Sequence, residues 1–197
     1  MNIGIEKEKL RKEMLHIRKQ LKKTDIEIMS ETMLKKVLEM ELYKNSEFVL
    51  SYINFGNEPI TTAFIETCIK DEKRVAAPCI LNLQSPCRMA SMEIFDLKDD
   101  LEVGTFGILE PKKKYAEEIN PKKIDLAIVP AIVFDKEMNR IGYGAGYYDE
   151  YLKLLSPDCI KIGLAFDFQV KEKIPCDEHD IKMDIIVTEM EILKQIT

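Results

Sequence analysis

The run Asp125-Leu126-Ala127-Ile128-Val129-Pro130-Ala131-Ile132-Val133-Phe134, followed closely by Asn139-Arg140-Ile141-Gly142-Tyr143-Gly144-Ala145-Gly146-Tyr147-Tyr148-Asp149-Glu150-Tyr151-Leu152, decides how the rest of the chain is read. The first part is a continuous apolar run of the kind a buried strand needs. In the second, Tyr147, Tyr148, Tyr151, Leu152 and Leu155 recur at helical spacing. Between them stand three of the chain's eight glycines, within five residues, and four of its seven tyrosines lie between positions 143 and 151. The expected order is strand, glycine-rich loop, helix. Such a loop exposes backbone N–H groups, and glycine lets an anion come close to the backbone and φ turn positive. Phosphate is the natural guest, although a glycine-rich connector followed by a docking helix fits the bare Gly-x-Gly-x-Gly equally well. The string is neither a P-loop nor Gly-x-Gly-x-x-Gly.

Outward from this string, strands and helices alternate. Phe48 to Ile53, Arg74 to Ile80, Cys87 to Phe95, Cys159 to Phe166 and Met183 to Glu189 read as strands. Residues 5 to 23 read as a helix with an apolar stripe of Leu10, Met14, Ile17 and Leu21. Thr24-Asp25-Ile26-Glu27 has capping-box spacing for a second helix to about Met40, and Thr61 or Thr62 can cap a third through about Lys70. No repeat or linker divides the chain. The expectation is a single α/β domain over residues 1–197, a mostly parallel sheet flanked by helices on both faces.

The 197 residues suffice for one sizeable core. The net charge of −6 argues against nucleic acid as a partner. Residues 1–23 depart from that balance, with eight Lys or Arg against three Glu. Lys7, Arg11 and Arg18 form a stripe bordering the apolar one. Those residues alone fit solvated charges lying over the core, while a cationic edge facing a polyphosphate is the functional alternative. Five scattered cysteines without Cys-x-x-Cys fit reduced thiols better than disulfides or zinc. No apolar run reaches transmembrane length and no signal peptide opens the chain, so a cytoplasmic protein without membrane partners, expected as a monomer, is the reading.

The whole string Arg-Ile-Gly-Tyr-Gly-x-Gly-Tyr-Tyr-Asp resembles the signature of the 5-formyltetrahydrofolate cyclo-ligase (methenyltetrahydrofolate synthetase) family. Other segments resemble it as well: Lys7-x-x-x-Arg11, Glu58-Pro59-Ile60-Thr61, the connector Gly107-Ile108-Leu109-Glu110-Pro111, and His179-Asp180-x-x-x-Asp184. Ala145 and Tyr143 depart from relatives that carry Gly or Lys, and Arg, at those places. The resemblance implies an ATP-dependent, Mg²⁺-using ligase that closes 5-formyltetrahydrofolate to 5,10-methenyltetrahydrofolate. It implies an ATP site of Lys7, Arg11, Arg140, Ile141, Gly142, Tyr143, Gly144, Ala145, Gly146, Tyr147 and Tyr148. It implies a reduced-folate site of Ile53, Glu58, Tyr143, Gly144, Ala145, Gly146 and Tyr147. Arg140 and Tyr147 stand nearest the chemistry, and Asp149 with Asp184 would hold Mg²⁺. On this reading Asp149 is nearly dispensable for folding. A nucleotide-binding regulatory module would keep the loop and basic helix without needing Glu58. A phosphosugar isomerase would need the anion site but neither ATP nor metal.

Overall fold

The structure is a computed structural model that describes residues 3–82, 88–113 and 117–195. In chain order the elements are α1 (Ile3–Lys19), α2 (Lys23–Glu39), α3 (Glu41–Asn45), β1 (Phe48–Ser51), α4 (Thr62–Lys70), β2 (Arg74–Asn82), β3 (Arg88–Ile94), β4 (Leu101–Val103), β5 (Leu109–Pro111), β6 (Leu126–Val129), β7 (Val133–Asp135), β8 (Arg140–Ile141), α5 (Tyr147–Leu152), β9 (Ile160–Leu164), β10 (Val170–Lys171), β11 (Ile185–Val187) and β12 (Ile192–Lys194). The main sheet has the order β12-β11-β9-β6-β1-β2-β3. The run β11-β9-β6-β1-β2 is parallel throughout, and β3 and β12 close its two sides antiparallel. Cys87 lies outside the described residues.

Side chains alternate across this sheet, as the two-residue period of a strand requires. Val49, Ile162 and Val187 face one way, onto Met33 and Val37 of α2 and Phe64 and Ile65 of α4. Phe48, Leu50 and Ala127 face the other, onto Tyr151 and Leu152 of α5. Helices therefore cover both faces, as expected of an α/β domain. The N-terminal helix α1 lies apart from these layers. Its Met14 packs with Ile132, Val133 and Ile141, so α1 rests on the segment that carries the glycines.

Several local expectations are corrected. The run 125–134 is not one strand. Pro130 has no N–H for a ladder, and the chain breaks into β6 and β7. Gln169 fills the gap, its Nε2 donating to Ile132 O at 2.8 Å. β7 joins a separate small sheet, parallel to β10 and antiparallel to β8. A hairpin thus stands between the buried strand and the glycines. Its turn is built on Asp135, which is wholly buried and accepts the backbone N–H of Glu137, Asn139 and Ile174 and the Asn139 amide. The capping box at Thr24 does not form: α2 starts two residues earlier than that cap requires, with Lys22 as an uncapped N-cap. Thr61 does precede α4, but its hydroxyl donates to Tyr52 O at 2.7 Å instead of capping the helix. The helix after the glycines has only six residues, ending at Leu152, and Leu155 is buried beyond it. An antiparallel strand, β12, follows the expected last one.

Candidate active site

β1 delivers the chain to a tight loop in which Glu58 turns back inward. One oxygen, Oε2, accepts the Phe55 N–H at 2.9 Å, and the residue is 5% exposed. A carboxylate so far from water needs partners. Two come from elsewhere in the chain. The Tyr143 hydroxyl donates to Glu58 Oε1, and Arg18 Nη2 stands 4.0 Å from that oxygen while donating to the Tyr143 hydroxyl at 2.5 Å. Burial pushes the Glu58 carboxyl above its ordinary range, against the pull of Tyr143 and Arg18. Burial likewise raises the phenols of Tyr143 and Tyr148, which stay neutral. Ile53, two residues beyond the end of the same strand, is buried in the core beneath.

The glycine string begins at β8. Arg140 points inward from it, its side chain 2% exposed, and Nη2 donates to Asp149 Oδ1 at 2.7 Å. Burial lowers the Arg140 pKa and Asp149 opposes that. Its Nε is buried with no hydrogen-bond partner among the described residues. The Ile141 side chain turns away into the α1 contact, so only its backbone can serve a ligand. From Gly142 the loop emerges: Tyr143, Gly144, Ala145 and Gly146 are all exposed. Gly144 has φ +102° and Gly146, capping α5, has φ +75°, conformations that L side chains rarely adopt. Tyr147 and Tyr148 open α5, both part-buried.

Helix α1 lies across this loop. The stripe Lys7, Arg11, Arg18 points into the site, not into solvent. Arg11 Nε donates to Gly142 O at 2.8 Å, and its guanidinium lies against Gly144, 3.4 Å from where a Cβ would stand. Lys7 Nζ sits between Asp177 Oδ2 at 2.9 Å and Asp180 Oδ2 at 2.5 Å. Burial works against its charge, but the two carboxylates outweigh burial and hold its pKa above the ordinary lysine value. Arg11 and Arg140 border this exposed, glycine-lined strip of backbone and Arg18 meets it through Tyr143, while Lys7 is held nearby by its two carboxylates.

Among the described residues the two expected metal ligands, Asp149 and Asp184, have separate partners and make no contact with each other. Asp149 is beside the loop, 27% exposed, and its Oδ2 makes no hydrogen bond among the described residues. Asp184 stands at the start of β11, while Glu58 follows the end of β1. These strands run in the same direction within one sheet, so the two residues lie at opposite poles. The Asp184 carboxylate is engaged there by the Lys161 N–H and Nζ, both at 2.7 Å. Asp180 is the carboxylate near the loop: Ile181 N reaches Asp149 Oδ1 at 3.5 Å, and Asp180 acts with Asp149 on Arg140. Arg18, which the sequence reading placed only in the cationic stripe, and Asp177 and Asp180, which it gave no site role, also stand here. Arg18 had a signal, since it shares its helix face with Lys7 and Arg11. Asp180 had one too, standing in the same motif as Asp184.

Among the described residues no group of three or more His, Cys, Asp or Glu is arranged to hold a metal ion. No described helix is long and apolar enough to cross a membrane.

Comparison with known proteins agrees with this geometry. The 5-formyltetrahydrofolate cyclo-ligase family profile matches residues 4–189. A probable 5-formyltetrahydrofolate cyclo-ligase of Schizosaccharomyces pombe is 27% identical, over 87% of this chain and 89% of its own length. The 5-formyltetrahydrofolate cyclo-ligase of Mus musculus is 30% identical, over 78% of this chain and 79% of its own. Among solved structures, the 5,10-methenyltetrahydrofolate synthetase of Aquifex aeolicus superposes with a TM-score of 0.83 at 32% identity, covering 96% of this chain and 92% of its own. With the glycine string, the cationic helix and the buried glutamate in one site and the match running nearly end to end, the chain belongs to the 5-formyltetrahydrofolate cyclo-ligase family.

Proposed function

We propose that this protein closes 5-formyltetrahydrofolate to 5,10-methenyltetrahydrofolate at the expense of ATP, releasing ADP and phosphate. The observation that carries this is the seating of Arg11 of α1 on the glycine loop, with the buried Glu58, joined to Tyr143 and Arg18, beside it. One half of the site suits a polyphosphate and the other suits the donor edge of an amino-pyrimidine ring.

The formyl oxygen of the substrate attacks the γ-phosphorus and ADP leaves. N10 then attacks the activated formyl carbon, phosphate departs with the formyl oxygen, and N10 gives up its proton as the ring becomes the methenyl cation. The nucleophiles belong to the substrate, so the protein's work is positioning and charge neutralisation. Lys7, Arg11 and Arg140 would face the phosphates. The backbone of Gly142, Gly144, Ala145 and Gly146 would line them, with Tyr147 and Tyr148 at the loop's far end. Arg140 has a donor to spare in its unpartnered Nε. Glu58 would accept the pterin's N–H groups, with Tyr143 and Ile53 against the ring. The donor set fits Mg²⁺: Asp149 offers a free oxygen, Asp180 is its neighbour, and this ion typically takes one or two carboxylates plus phosphate oxygens. When bound, it would neutralise charge on the transferring phosphoryl group.

The test is to mix protein, 5-formyltetrahydrofolate and Mg²⁺ with and without ATP, and to follow the near-ultraviolet absorbance of the conjugated product. Product is expected only with both ATP and the divalent cation. Undiminished turnover without nucleotide would refute the ligase reading.

A further inference from the structure

Glu58 is useful to a folate only while it is charged, yet its surroundings favour the acid. It is buried, two neutral phenols (Tyr52 just after β1 and Tyr148 on α5) lie near it, and its own loop supplies an N–H, from Phe55. The Tyr143 hydroxyl gives one more hydrogen bond. Among the described residues the one cation acting on it is Arg18. That guanidinium is itself 5% exposed. Among the described residues it has no other carboxylate as partner, and Nη1 is buried without any hydrogen bond. Its position is fixed twice: Nη2 donates to the Tyr143 hydroxyl at 2.5 Å, and its main-chain oxygen accepts Asn57 Nδ2 at 2.9 Å, from the residue preceding Glu58. The last turn of α1 is therefore bolted to the Glu58 loop.

We infer that Arg18, reaching Glu58 through the Tyr143 hydroxyl, is a positioning residue that keeps Glu58 ionised and aimed for the substrate's amino-pyrimidine edge. The chain Arg18–Tyr143–Glu58 places a cation at one end and an anion at the other, with a phenol that accepts from the first and donates to the second. This sets the hydroxyl's direction, and with the Phe55 N–H on the other oxygen it fixes how the carboxylate is turned. A charged donor strengthens such a relay more than a neutral one would. It also makes α1 a two-ended element, with Lys7 and Arg11 toward the phosphates and Arg18 toward the folate. The binding half of this inference rests on the function proposed above; the charge-holding half does not.

Two measurements test it on the intact protein. In the first, Glu58 is followed by NMR in protein carrying ¹³C at the glutamate carboxyls, its signal assigned by loss in Glu58→Gln. The Arg18→Met variant should titrate at higher pH than wild type, because loss of the cation favours the acid, and Arg18→Lys should return most of the way. In the second, 5-formyltetrahydrofolate is titrated into the ATP-free protein between pH 6 and 9. Arg18→Met should bind roughly tenfold or more weaker than wild type at the acid end, the fold-change of losing a hydrogen bond to a charged group, with the gap narrowing as pH rises. Tyr143→Phe should show the same trend at smaller size. Should Arg18→Met not fold, Arg18→Gln keeps the donor without the charge and takes its place. An unmoved Glu58 titration, or an affinity loss equal at every pH and not restored by lysine, overturns the inference. If wild type fails to bind the folate at any pH while the titration still moves in the variant, the proposed substrate is wrong and the charge-holding role stands.

Discussion

Asp149→Asn separates what the fold asks of this residue from what the chemistry asks. A first-turn helix charge contributes only ~0.3–1 kcal/mol, which is why the sequence suggested a residue dispensable for folding. The geometry says otherwise. Asp149 is the carboxylate that meets the Arg140 guanidinium, at 2.7 Å, and the arginine side chain is 2% exposed. Removing one partner of a buried pair leaves the other charge stranded, at about 3–5 kcal/mol. Asp149 itself is 27% exposed, so water screens part of the interaction, and about 2–3 kcal/mol is the expected loss. For a chain of this size that is a fall of roughly 4–12 °C in melting temperature. The assay is thermal unfolding without nucleotide or metal, so that ligand binding cannot mask the change. Arg140→Met provides the control: in its background, Asp149→Asn should cost nearly nothing further. A single variant melting within a degree of wild type, or an undiminished cost in the double variant, would refute the argument. If Asp149 also holds Mg²⁺, turnover in the surviving folded fraction should need more of the ion.

Lys7→Met leaves Asp177 and Asp180 without their shared cation and removes a charge from the phosphate side, so the apparent KM for ATP should rise while ATP-free folate affinity stays put; equal losses would mean a structural fault. Because the Lys7 pKa is raised, its contribution to stability is fully present below the ordinary lysine value and is lost only as pH rises through the raised one, so the wild-type minus Lys7→Met stability difference should be flat from pH 6 to 9. Gly144→Val puts a β-branched residue at φ +102° against the Arg11 guanidinium, in an exposed loop, so turnover should collapse with only a few degrees of thermal loss; normal turnover would make the loop a connector. Gly163→Ala drives a Cβ into the Phe134 ring at the centre of the sheet, an overpacking costing about 1–3 kcal/mol in unfolding measurements, with activity per folded molecule unchanged.

The parts of this protein legible in its sequence are those fixed by local rules. Continuous apolar runs marked the parallel strands, because each is covered on both faces and must be apolar throughout. Three glycines in five residues marked a backbone that needs positive φ, and two of the three have it. What escaped depends on partners far away in the chain. The split of the run 125–134 follows from Pro130, but the turn after it is held by a buried Asp135 whose donors span positions 137 to 174. A buried aspartate in a hairpin turn looks, in sequence, like any surface Asp-Lys-Glu.

The same distinction applies to Asp180 and Arg18 beside the loop. In His179-Asp180-x-x-x-Asp184 either aspartate could serve an ion, and only strand register decides between them. The Asp184 backbone N–H already bonds Lys161 O, which commits it to the ladder at the pole away from the loop. Asp180, four residues earlier, lies in the crossing segment that passes under α1 and meets Lys7. Among the cations, Arg18 shares a helix face with Lys7 and Arg11, since the eleven residues from Lys7 to Arg18 make just over three turns at about 3.6 residues each. That geometry was available. What was not available was the opposing surface: whether a cationic stripe meets water or a buried carboxylate depends on where the chain returns at residues 58 and 143. One stripe therefore read as surface charge when taken alone. Once α1 is laid over the hairpin by Met14, the same stripe becomes the wall that spans both halves of the site.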